Sequence, residues 1–398
     1  MTPPVTGRKV AGVDGAPIFA EVCPQALKAN IAAIRRRAPG VPICAALKAN
    51  AYGHGIRQVL PVLAAAGVER IAVANVDEAL EARRLGWSRP ILCLGAPVSA
   101  HCERDAVERA RALMAADVHC TVSSIEEIRV LAAQAPAMGK AARIELKVDS
   151  GMGRMGLRVP TAAPLVAEAA NCNAVQVCGL YTHLATADEP DPCFARQQLA
   201  DFNSLRSELA ARRISVGDCH SANSAGVFRL QESHMDLVRP GLAVYGYWGG
   251  PEGERPEDLH PVLRIVARLV AVRRLPAEHA VGYGCTYRTR RESLLGVVPM
   301  GYADGYRRLL SGDAVMTLEA IRGQPRRSIP VVGRVSMDQT TVDLTDAGDV
   351  RPGDPVIIIE RDPAAPNSVE ALARKLGTIP YEVTCLLGDR VRRVVAAQ

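Results

Sequence analysis

Apolar runs and helix-like stretches alternate along the first part of the chain, and this rhythm limits the possible folds more than any other feature. Short apolar runs bounded by turn residues are typical of buried strands, whereas the amphipathic stretches are typical of helices. The runs lie near residues 43–49, 70–76, 90–95, 118–123, 142–149, 174–184, 218–222 and 235–239. The helix-like stretches are Pro24–Ala38, Asp77–Leu85, Glu103–Ala116, Ser124–Ala133 and Phe194–Arg212. The alternation predicts an α/β fold with a closed (β/α)8 TIM-type barrel, although an open doubly wound sheet fits the pattern alone.

Polar residues collect where these predicted strands end, and this favours the closed barrel. The carboxyl ends of barrel strands form one face, which carries the functional groups of such enzymes. Unrelated solvated residues would reach that face only by chance. The polar strand-end residues are Lys48, Lys147, Asp149, His183, His220 and Arg239.

The rhythm changes near residue 252, where a polar, proline-rich linker begins. Short alternating runs follow, and only Ser368–Leu376 has a helical pattern. A chain of 398 residues is long for one ordinary domain. We therefore predict a barrel domain at 1–255 and a β-rich domain at 256–398.

Composition excludes several classes of function. The net charge of +6 is spread along the chain and aromatic residues are only 4%, so no nucleic-acid partner is indicated. The 11 cysteines include no CxxC pair and mostly lie in apolar runs, which indicates reduced thiols in the cytoplasm. The N-terminus has no apolar segment typical of a secretory signal, and no run has the length of a membrane span.

The segment ICAALKANAYGHG, residues 43–55, passes from a predicted buried strand through Lys48 into a glycine-punctuated turn that begins a helix. A lysine amine at the end of such a strand suits Schiff-base chemistry with an aldehyde cofactor. The alternative is a solvated surface lysine. Tyr52, four residues later, can point back at the same site.

Other candidate groups follow later strands. Arg154 lies in the glycine-rich segment KVDSGMGRMG and offers a donor fork for a carboxylate or another oxyanion. Ser224, with backbone amides near Gly241 and Leu242, is a candidate phosphate cup, because barrels often bind phosphate after their last two strands. Each residue also has a structural interpretation when taken alone: a solvated arginine for Arg154 and a helix cap for Ser224.

These segments together resemble the bacterial alanine racemases, which depend on pyridoxal 5'-phosphate. The resemblance covers nearly the whole chain and includes segments YTHLATADE, CHSANSAG and VRPGLAVYG. It implies that Lys48 carries the cofactor and acts as one catalytic base. Lys147 matches a lysine that is often carbamylated in that family, and the resemblance implies that Arg154 binds the substrate carboxylate. The implied cofactor-binding set is Lys48, Tyr52, His183, Asn223, Ser224, Arg239, Gly241, Leu242 and Tyr381, with His183 stacked on the ring and contacting Arg239.

Arg239 matters most for the type of reaction. Arginine has no acceptor and keeps its proton, so a pyridine nitrogen facing it stays unprotonated. A ring with an unprotonated nitrogen withdraws electrons less strongly, which disfavours side reactions that need a stronger electron sink. Taken alone, the residue is equally consistent with a salt bridge at the barrel rim.

The β-rich region contains VGYGCTY, MGYADGYRR and GRVSMDQTT. Any one of their tyrosines alone would be taken as structural. Together they resemble the set that reaches the partner's active site in a racemase homodimer. The resemblance implies that Tyr283 is the second catalytic base and that Met337 and Asp338 line the substrate pocket. The implied entrance residues are Asp188, Tyr302 and Arg308.

We therefore predict a racemase that interconverts L- and D-alanine with Lys48 and Tyr283 as its two bases, supplying D-alanine for peptidoglycan. A broad-specificity or serine racemase of the same fold is the alternative. A barrel-type decarboxylase is less consistent with Arg239. A non-catalytic pyridoxal-phosphate carrier is typically a barrel alone, and a pure interaction protein would explain none of the strand-end residues.

Overall fold

The structure is a computed structural model and describes residues 16–98 and 103–396. Its strands are β1 Ile18–Val22, β2 Cys44–Ala46, β3 Arg70–Val73, β4 Ile91–Cys93, β5 His119–Val122, β6 Ala142–Asp149, β7 Leu157–Arg158, β8 Val175–Tyr181, β9 Asp218–His220, β10 Leu263–Arg268, β11 Ala271–Leu275, β12 Ala280–Val281, β13 Tyr287–Arg288, β14 Ser293–Val298, β15 Val315–Leu318, β16 Arg327–Pro330, β17 Thr340–Asp343, β18 Pro355–Ile359 and β19 Arg392–Val395. Its helices are α1 Pro24–Arg37, α2 Lys48–Tyr52, α3 Ile56–Ala65, α4 Val76–Arg84, α5 Glu103–Ala115, α6 Ile125–Met138, α7 Val159–Ala170, α8 Cys193–Ala211, α9 Ser224–Arg229, α10 Val369–Leu376 and α11 Pro380–Cys385.

Contacts within the chain divide it into two compact units. The parallel unit contains residues 27–52 and 60–259, and the β-rich unit contains 53–59 and 260–396 together with the described residues up to Ala26. Strand β1 therefore groups with the later sheet rather than with the residues that follow it. The limits 1–255 and 256–398 stay a prediction, and residues 1–15 lie outside the described part of the chain.

The parallel unit is built on a curled sheet with strand order β2-β3-β4-β5-β6-β8-β9, and β7 pairs with β6. All these pairs are parallel. A parallel bridge between Ile43 and Val238 joins the segment after β9 to the start of β2. The buried side chains of Cys44, Ala72, Leu92 and Leu237 pack together across this junction. The predicted barrel-type α/β fold is confirmed.

The last predicted strand, near 235–239, differs from the prediction because it is reduced to that single bridge. The N–H of Cys44 donates to the Val238 carbonyl at 2.8 Å, and the N–H of Ala46 donates to the Pro240 carbonyl at 2.9 Å. Proline has no N–H with which to continue a ladder, so Pro240 ends the pairing. The chain therefore leaves the sheet directly after Arg239.

The predicted helices are found with shifts at their ends. For example, α6 continues past the predicted end at Ala133 to Met138, where Gly139 takes a left-handed conformation with φ of 62°. Its start follows prediction, because the Ser124 side chain accepts the N–H of Glu127. Helix α7 was not predicted, whereas α3 begins at Ile56, directly after the turn that was predicted to begin a helix.

The β-rich unit confirms the second part of the fold prediction. One sheet has strand order β16-β15-β18-β10-β1-β19, a second has the order β11-β14-β17, and β12 and β13 form a hairpin. Strand β1 pairs antiparallel with β10 and parallel with β19. Helix α10 was predicted, but the expectation that it is the only helix here is wrong. The short helix α11 begins at Pro380, a residue suited to a first helical position.

Candidate active site

Lys48 lies two residues after the end of β2, and the buried Leu47 separates them. The next four residues, Ala49 to Tyr52, have φ values between 52° and 56°, so α2 is a left-handed turn. The sequence predicted a turn that begins a helix at this point, but not its left-handed conformation. Left-handed backbone costs about 1–2 kcal/mol per L-residue, so neighbouring contacts must hold this turn. It is a strained segment of the kind found at functional sites.

Glu78 supplies part of that support. Its carboxylate accepts the N–H of Ala49 at 2.7 Å and that of Ala74, also at 2.7 Å. The N–H of Ala51 donates to the carbonyl four residues earlier at 2.8 Å. Glu78 was not among the predicted residues, although Asn75 and Glu78 have the spacing of a helix capping box after β3.

The candidate phosphate cup forms within the parallel unit. The Ser224 hydroxyl accepts the backbone N–H of Gly241 at 2.9 Å and of Ala243 at 3.1 Å. A Cβ atom at Gly241 would lie 2.4 Å from the Tyr52 hydroxyl oxygen, so glycine is required for this close approach. The N-cap of α9 is Asn223, so the helix-cap interpretation of Ser224 is wrong, and the Ser224 hydroxyl belongs to the cup. Leu242 follows Gly241 and is buried.

Arg239 is buried beneath this region, with only 6% of its surface exposed. Its Nη2 donates to the carbonyls of Thr182 at 2.6 Å and Ser221 at 3.3 Å, and its Nη1 donates to His220 Nδ1 at 2.5 Å. His220 makes this hydrogen bond, and the expected contact between Arg239 and His183 stays a prediction. Burial lowers the pKa of Arg239 from its ordinary value.

Positive charge dominates the surroundings of His183. Burial, followed by the charges of Arg239, Lys147, Arg154 and Lys48, lowers the pKa of His183 to about 3, so the imidazole is neutral. Burial, followed by the charges of Arg154 and Arg239, lowers the pKa of Lys147 to about 8. These cations are close enough to influence one another, and such a cluster favours anionic ligands.

The glycine-rich loop that carries Arg154 is closed by Asp149. The Asp149 carboxylate accepts the N–H of Gly151 at 3.0 Å and the N–H of Gly153 at 3.1 Å. Burial opposes ionisation of Asp149, but these backbone donors lower its pKa. Arg154 is exposed on this loop. Asp188 is half-buried after β8, and burial raises its pKa.

Glu145 is a fully buried acid that sequence analysis missed. Its Oε1 lies 2.8 Å from His119 Nδ1, and its Oε2 lies 2.9 Å from His220 Nε2. Burial alone would raise the pKa of Glu145, but these hydrogen bonds hold it well below its usual range. A signal was present, because Glu145 and Lys147 alternate on one face of a strand that is otherwise apolar. The Tyr181 ring stacks on His220 with centroids 5.0 Å apart.

The remaining predicted residues belong to the β-rich unit. Tyr283 lies in a 3-10 turn after β12 and is 70% exposed. The N–H of Tyr302 donates to the Ser336 carbonyl at 3.1 Å, which joins the loops of Tyr302 and Met337. Both side chains are exposed. Arg308 is exposed, and Tyr381 is half-buried in the first turn of α11.

Asp338 has a partner that the sequence did not indicate. Arg390 donates through Nη1 to Asp338 at 2.8 Å and through Nε to Asp304, also at 2.8 Å. Asp304 in turn accepts the N–H of Gly301 at 2.9 Å. The contact ties the loop of Met337 and Asp338 to the Tyr302 loop.

Comparisons with known proteins agree across the chain. Residues 22–248 match the family model described as alanine racemase, N-terminal domain, and residues 262–395 match alanine racemase, C-terminal domain. The alanine racemase of Symbiobacterium thermophilum is 39% identical over 377 residues, covering 95% of this chain and 96% of that protein.

Solved structures agree as well. The alanine racemase of Streptomyces coelicolor A3(2) has a TM-score of 0.86 and 33% identity, covering 96% of this chain and 99% of that one. The alanine racemase of Bartonella henselae, solved with covalently bound pyridoxal phosphate, has a TM-score of 0.81 and 27% identity, with the same coverage.

Proposed function

Because the chain belongs to the alanine racemase family, we propose that it interconverts L-alanine and D-alanine. The enzyme is an isomerase that depends on pyridoxal 5'-phosphate. The observation that best supports this proposal is Arg239, a buried arginine held by His220 and two carbonyls. It offers only hydrogen-bond donors to the pyridine nitrogen of the cofactor, whereas decarboxylase chemistry favours an acidic residue at that position.

The residues of the parallel unit fit the cofactor. The cup of Tyr52, Ser224 and Gly241 leaves no room for a side chain at position 241 and suits a phosphate. Leu242 and Asn223 are the other members of the proposed phosphate-binding set in this unit, and Tyr381 of the β-rich unit stays a predicted member. Neutral His183 suits an aromatic neighbour, and the surrounding cations suit the negative charge of the group. When bound, pyridoxal phosphate supplies an electron-withdrawing system that acidifies the Cα–H bond of an attached amino acid.

Arg239 controls how far that acidification goes. Its guanidinium has donors only and keeps its proton, so a pyridine nitrogen facing it stays unprotonated. Among the described residues, its Nε makes no hydrogen bond, whereas both Nη atoms are engaged. Nε is therefore the donor we assign to the ring nitrogen. This limits charge delocalisation and favours return of the proton to Cα.

Racemisation requires a proton to leave one face of Cα and to return on the other, so two bases are needed. We assign Lys48 Nζ to the proton of D-alanine and the hydroxyl of the partner's Tyr283 to that of L-alanine. The exposure of Tyr283 supports a role outside its own unit. The same homodimer would use Tyr302 and Arg308 at the entrance, together with Asp188.

Arg154 is assigned to the substrate carboxylate, because it is an exposed arginine on a loop close to Lys147 and His183. Met337 and Asp338 of the partner subunit are assigned to the wall of the substrate pocket. The ion pairs of Arg390 with Asp338 and Asp304 support this by holding the loop that carries Met337 and Asp338. Lys147 is assigned a carbamate that pairs with Arg154.

We further propose that the enzyme works in the cytoplasm and supplies D-alanine for peptidoglycan. The buried cysteines Cys44, Cys93, Cys120 and Cys219 form no disulfide, which supports a reducing compartment. Within residues 16–98 and 103–396, no helix combines the length and the apolar character needed to cross a membrane.

Loss of circular dichroism tests the function directly. Purified protein loaded with pyridoxal phosphate is incubated with L-alanine and, separately, with L-serine. Fast decay to zero with alanine and little decay with serine is the expected result. Comparable decay with serine would indicate a broad racemase, and no decay with either amino acid would contradict the proposal.

A further inference from the structure

A chain of buried polar side chains runs through the interior of the parallel unit. It begins at Arg239, continues through His220 to Glu145, and ends at His119. His220 and Glu145 have no exposed surface, and the other two are buried. Of this group only Arg239 was given a role in the predicted site, and His220 was predicted only to lie at a strand end, so the chain extends the site inward to residues without a proposed role.

The protonation of His220 follows from its neighbours. A guanidinium nitrogen can only donate, so His220 Nδ1 must accept from Arg239 Nη1 and carries no proton. The single proton of the neutral ring is then on Nε2, where it donates to Glu145 Oε2. Burial lowers the pKa of His220, in agreement with a neutral ring. The ionised carboxylate therefore selects the tautomer that can receive Arg239.

Glu145 is itself held from two other sides. His119 Nδ1 donates to its Oε1 at 2.8 Å, and Arg70 Nη1 lies 3.9 Å from the same oxygen. Arg70 also pairs with Asp218 at the start of β9. Tyr181 stacks on His220, and its hydroxyl hydrogen-bonds to Thr121 at 2.7 Å. Stacking on Tyr181 thus fixes the plane of the His220 ring, and the surrounding donors hold the Glu145 carboxylate at the Nε2 edge of that ring.

We propose that Glu145 is a positioning residue for the racemase reaction, acting on Arg239 through the tautomer and orientation of His220. The kinetic consequence rests on the proposed function, whereas the tautomer does not. Arg239 keeps a neutral partner at Nη1, and the compensating negative charge is one residue further away. Arg239 can then stay charged and immobile without a carboxylate in the cofactor site.

The tautomer is read by nitrogen NMR of the histidine rings in deuterated protein carrying ¹⁵N-labelled histidine. His220 is assigned by its loss in His220→Gln. We expect a protonated, exchange-protected Nε2 and an unprotonated Nδ1 in the wild-type protein. A proton on Nδ1, or on both nitrogens, would overturn the proposal whether or not the protein racemises alanine.

Two substitutions separate the acceptor from the bulk of the side chain. Glu145→Leu removes the acceptor, so the protected Nε2 proton should disappear. Glu145→Gln keeps an oxygen that can face His220, so that proton should remain. Asp218→Asn is the matched control, since it breaks the outer ion pair of Arg70 without touching His220, and it should leave the spectrum unchanged. If Glu145→Leu keeps the wild-type His220 signals, the proposal is wrong.

Kinetics give a second, independent readout. Loss of a hydrogen bond to a charged group lowers kcat by about 10- to 100-fold in Glu145→Leu. KM for alanine should stay within about twofold, because Arg154 is untouched. Glu145→Gln should recover most of kcat. If Glu145→Gln is as slow as Glu145→Leu while the cofactor remains bound, the acceptor role is overturned. If Glu145→Leu does not fold, the His220 nitrogen spectra of the wild type and of Glu145→Gln still test the proposed tautomer.

Discussion

The Nδ1 atom of His220 lies 2.5 Å from Nη1 of Arg239, so the partner of this buried arginine is a neutral imidazole rather than a carboxylate. The nearest acid on that side, Glu145, is one hydrogen bond further away. A carboxylate in direct contact would partly neutralise the guanidinium at the site itself. The observed order keeps a positive, donor-only group facing the proposed cofactor pocket.

Replacing Lys48 by alanine should abolish cofactor attachment. No other side chain of the left-handed turn has an amine, so the Schiff-base absorption band should be lost. Racemisation should fall by at least about 10³-fold, because the same residue is a proposed base. Absorption spectra and circular dichroism measure the two effects. Lys28→Ala, at an exposed lysine of α1, is the control and should keep both. Persistence of the band in Lys48→Ala would refute the assignment.

Tyr283→Phe should act on one face of the substrate. Loss of the phenolic proton carrier should slow solvent exchange of the L-alanine Cα proton by about 10²–10⁴-fold, with a much smaller effect on D-alanine. Proton NMR in D2O follows both exchanges under initial-rate conditions. Tyr287→Phe, on the other strand of the same hairpin, is the control and should affect neither. Equal slowing of both enantiomers would show that the faces are wrongly assigned.

If active sites are shared in the proposed homodimer, inactive variants should complement each other. In a mixed dimer of Lys48→Ala and Tyr283→Phe chains, one site carries both substitutions and the other carries neither. Random exchange of subunits in a two-fold dimer should therefore restore about a quarter of the wild-type activity. Subunit exchange is verified by mass spectrometry of differently tagged chains. If exchange is complete and activity stays at the level of the unmixed variants, each site uses residues of one chain only.

Lys147 should form a carbamate. Its pKa of about 8 leaves more neutral amine at physiological pH than an ordinary lysine has, and Arg154 and Arg239 can stabilise the resulting anion. Protein equilibrated with ¹³C-bicarbonate should show one carbamate carbon by NMR. The signal should vanish in Lys147→Met and remain in Lys140→Met, which alters an exposed lysine before the same strand. A signal that survives in Lys147→Met would assign the modification elsewhere.

The uncarbamylated amine of Lys147 should make stability depend on pH. Its folded pKa is lowered to about 8, so below pH 8 the folded and unfolded chains both hold the proton and the cost of the buried charge is fully present. Between pH 8 and about 10.4 the unfolded chain binds more protons, and the free energy of unfolding rises with pH.

Denaturant unfolding in carbon-dioxide-free buffer measures that dependence. The stability of the wild type relative to Lys147→Met should increase between pH 8 and 10. The difference between the wild type and Lys140→Met should stay constant over the same range. A constant difference for Lys147→Met would mean that the folded amine has an ordinary pKa.

Much of the fold was predictable because its signals are local. The strand–helix alternation and the change to short alternating runs near residue 252 depend on side-chain periodicity, which neighbouring residues determine. Most helix ends were near their predicted positions for the same reason, as Ser124 illustrates at the start of α6, although α6 continues past its predicted end at Ala133 to Met138. Lys48, Ser224 and Arg239 were recognisable because each follows a predicted strand in a distinctive segment.

By itself, the sequence determined the order of the elements and the residue types at the strand ends. Only the tertiary structure decided the left-handed turn after Lys48, which Glu78 supports from 29 residues away, and the partner of Arg239. It also revealed Glu145, which contacts His220 across 75 residues of sequence. The physical reason is that a strained turn and a buried charge are stable only when distant groups supply hydrogen bonds, and no local pattern records those partners.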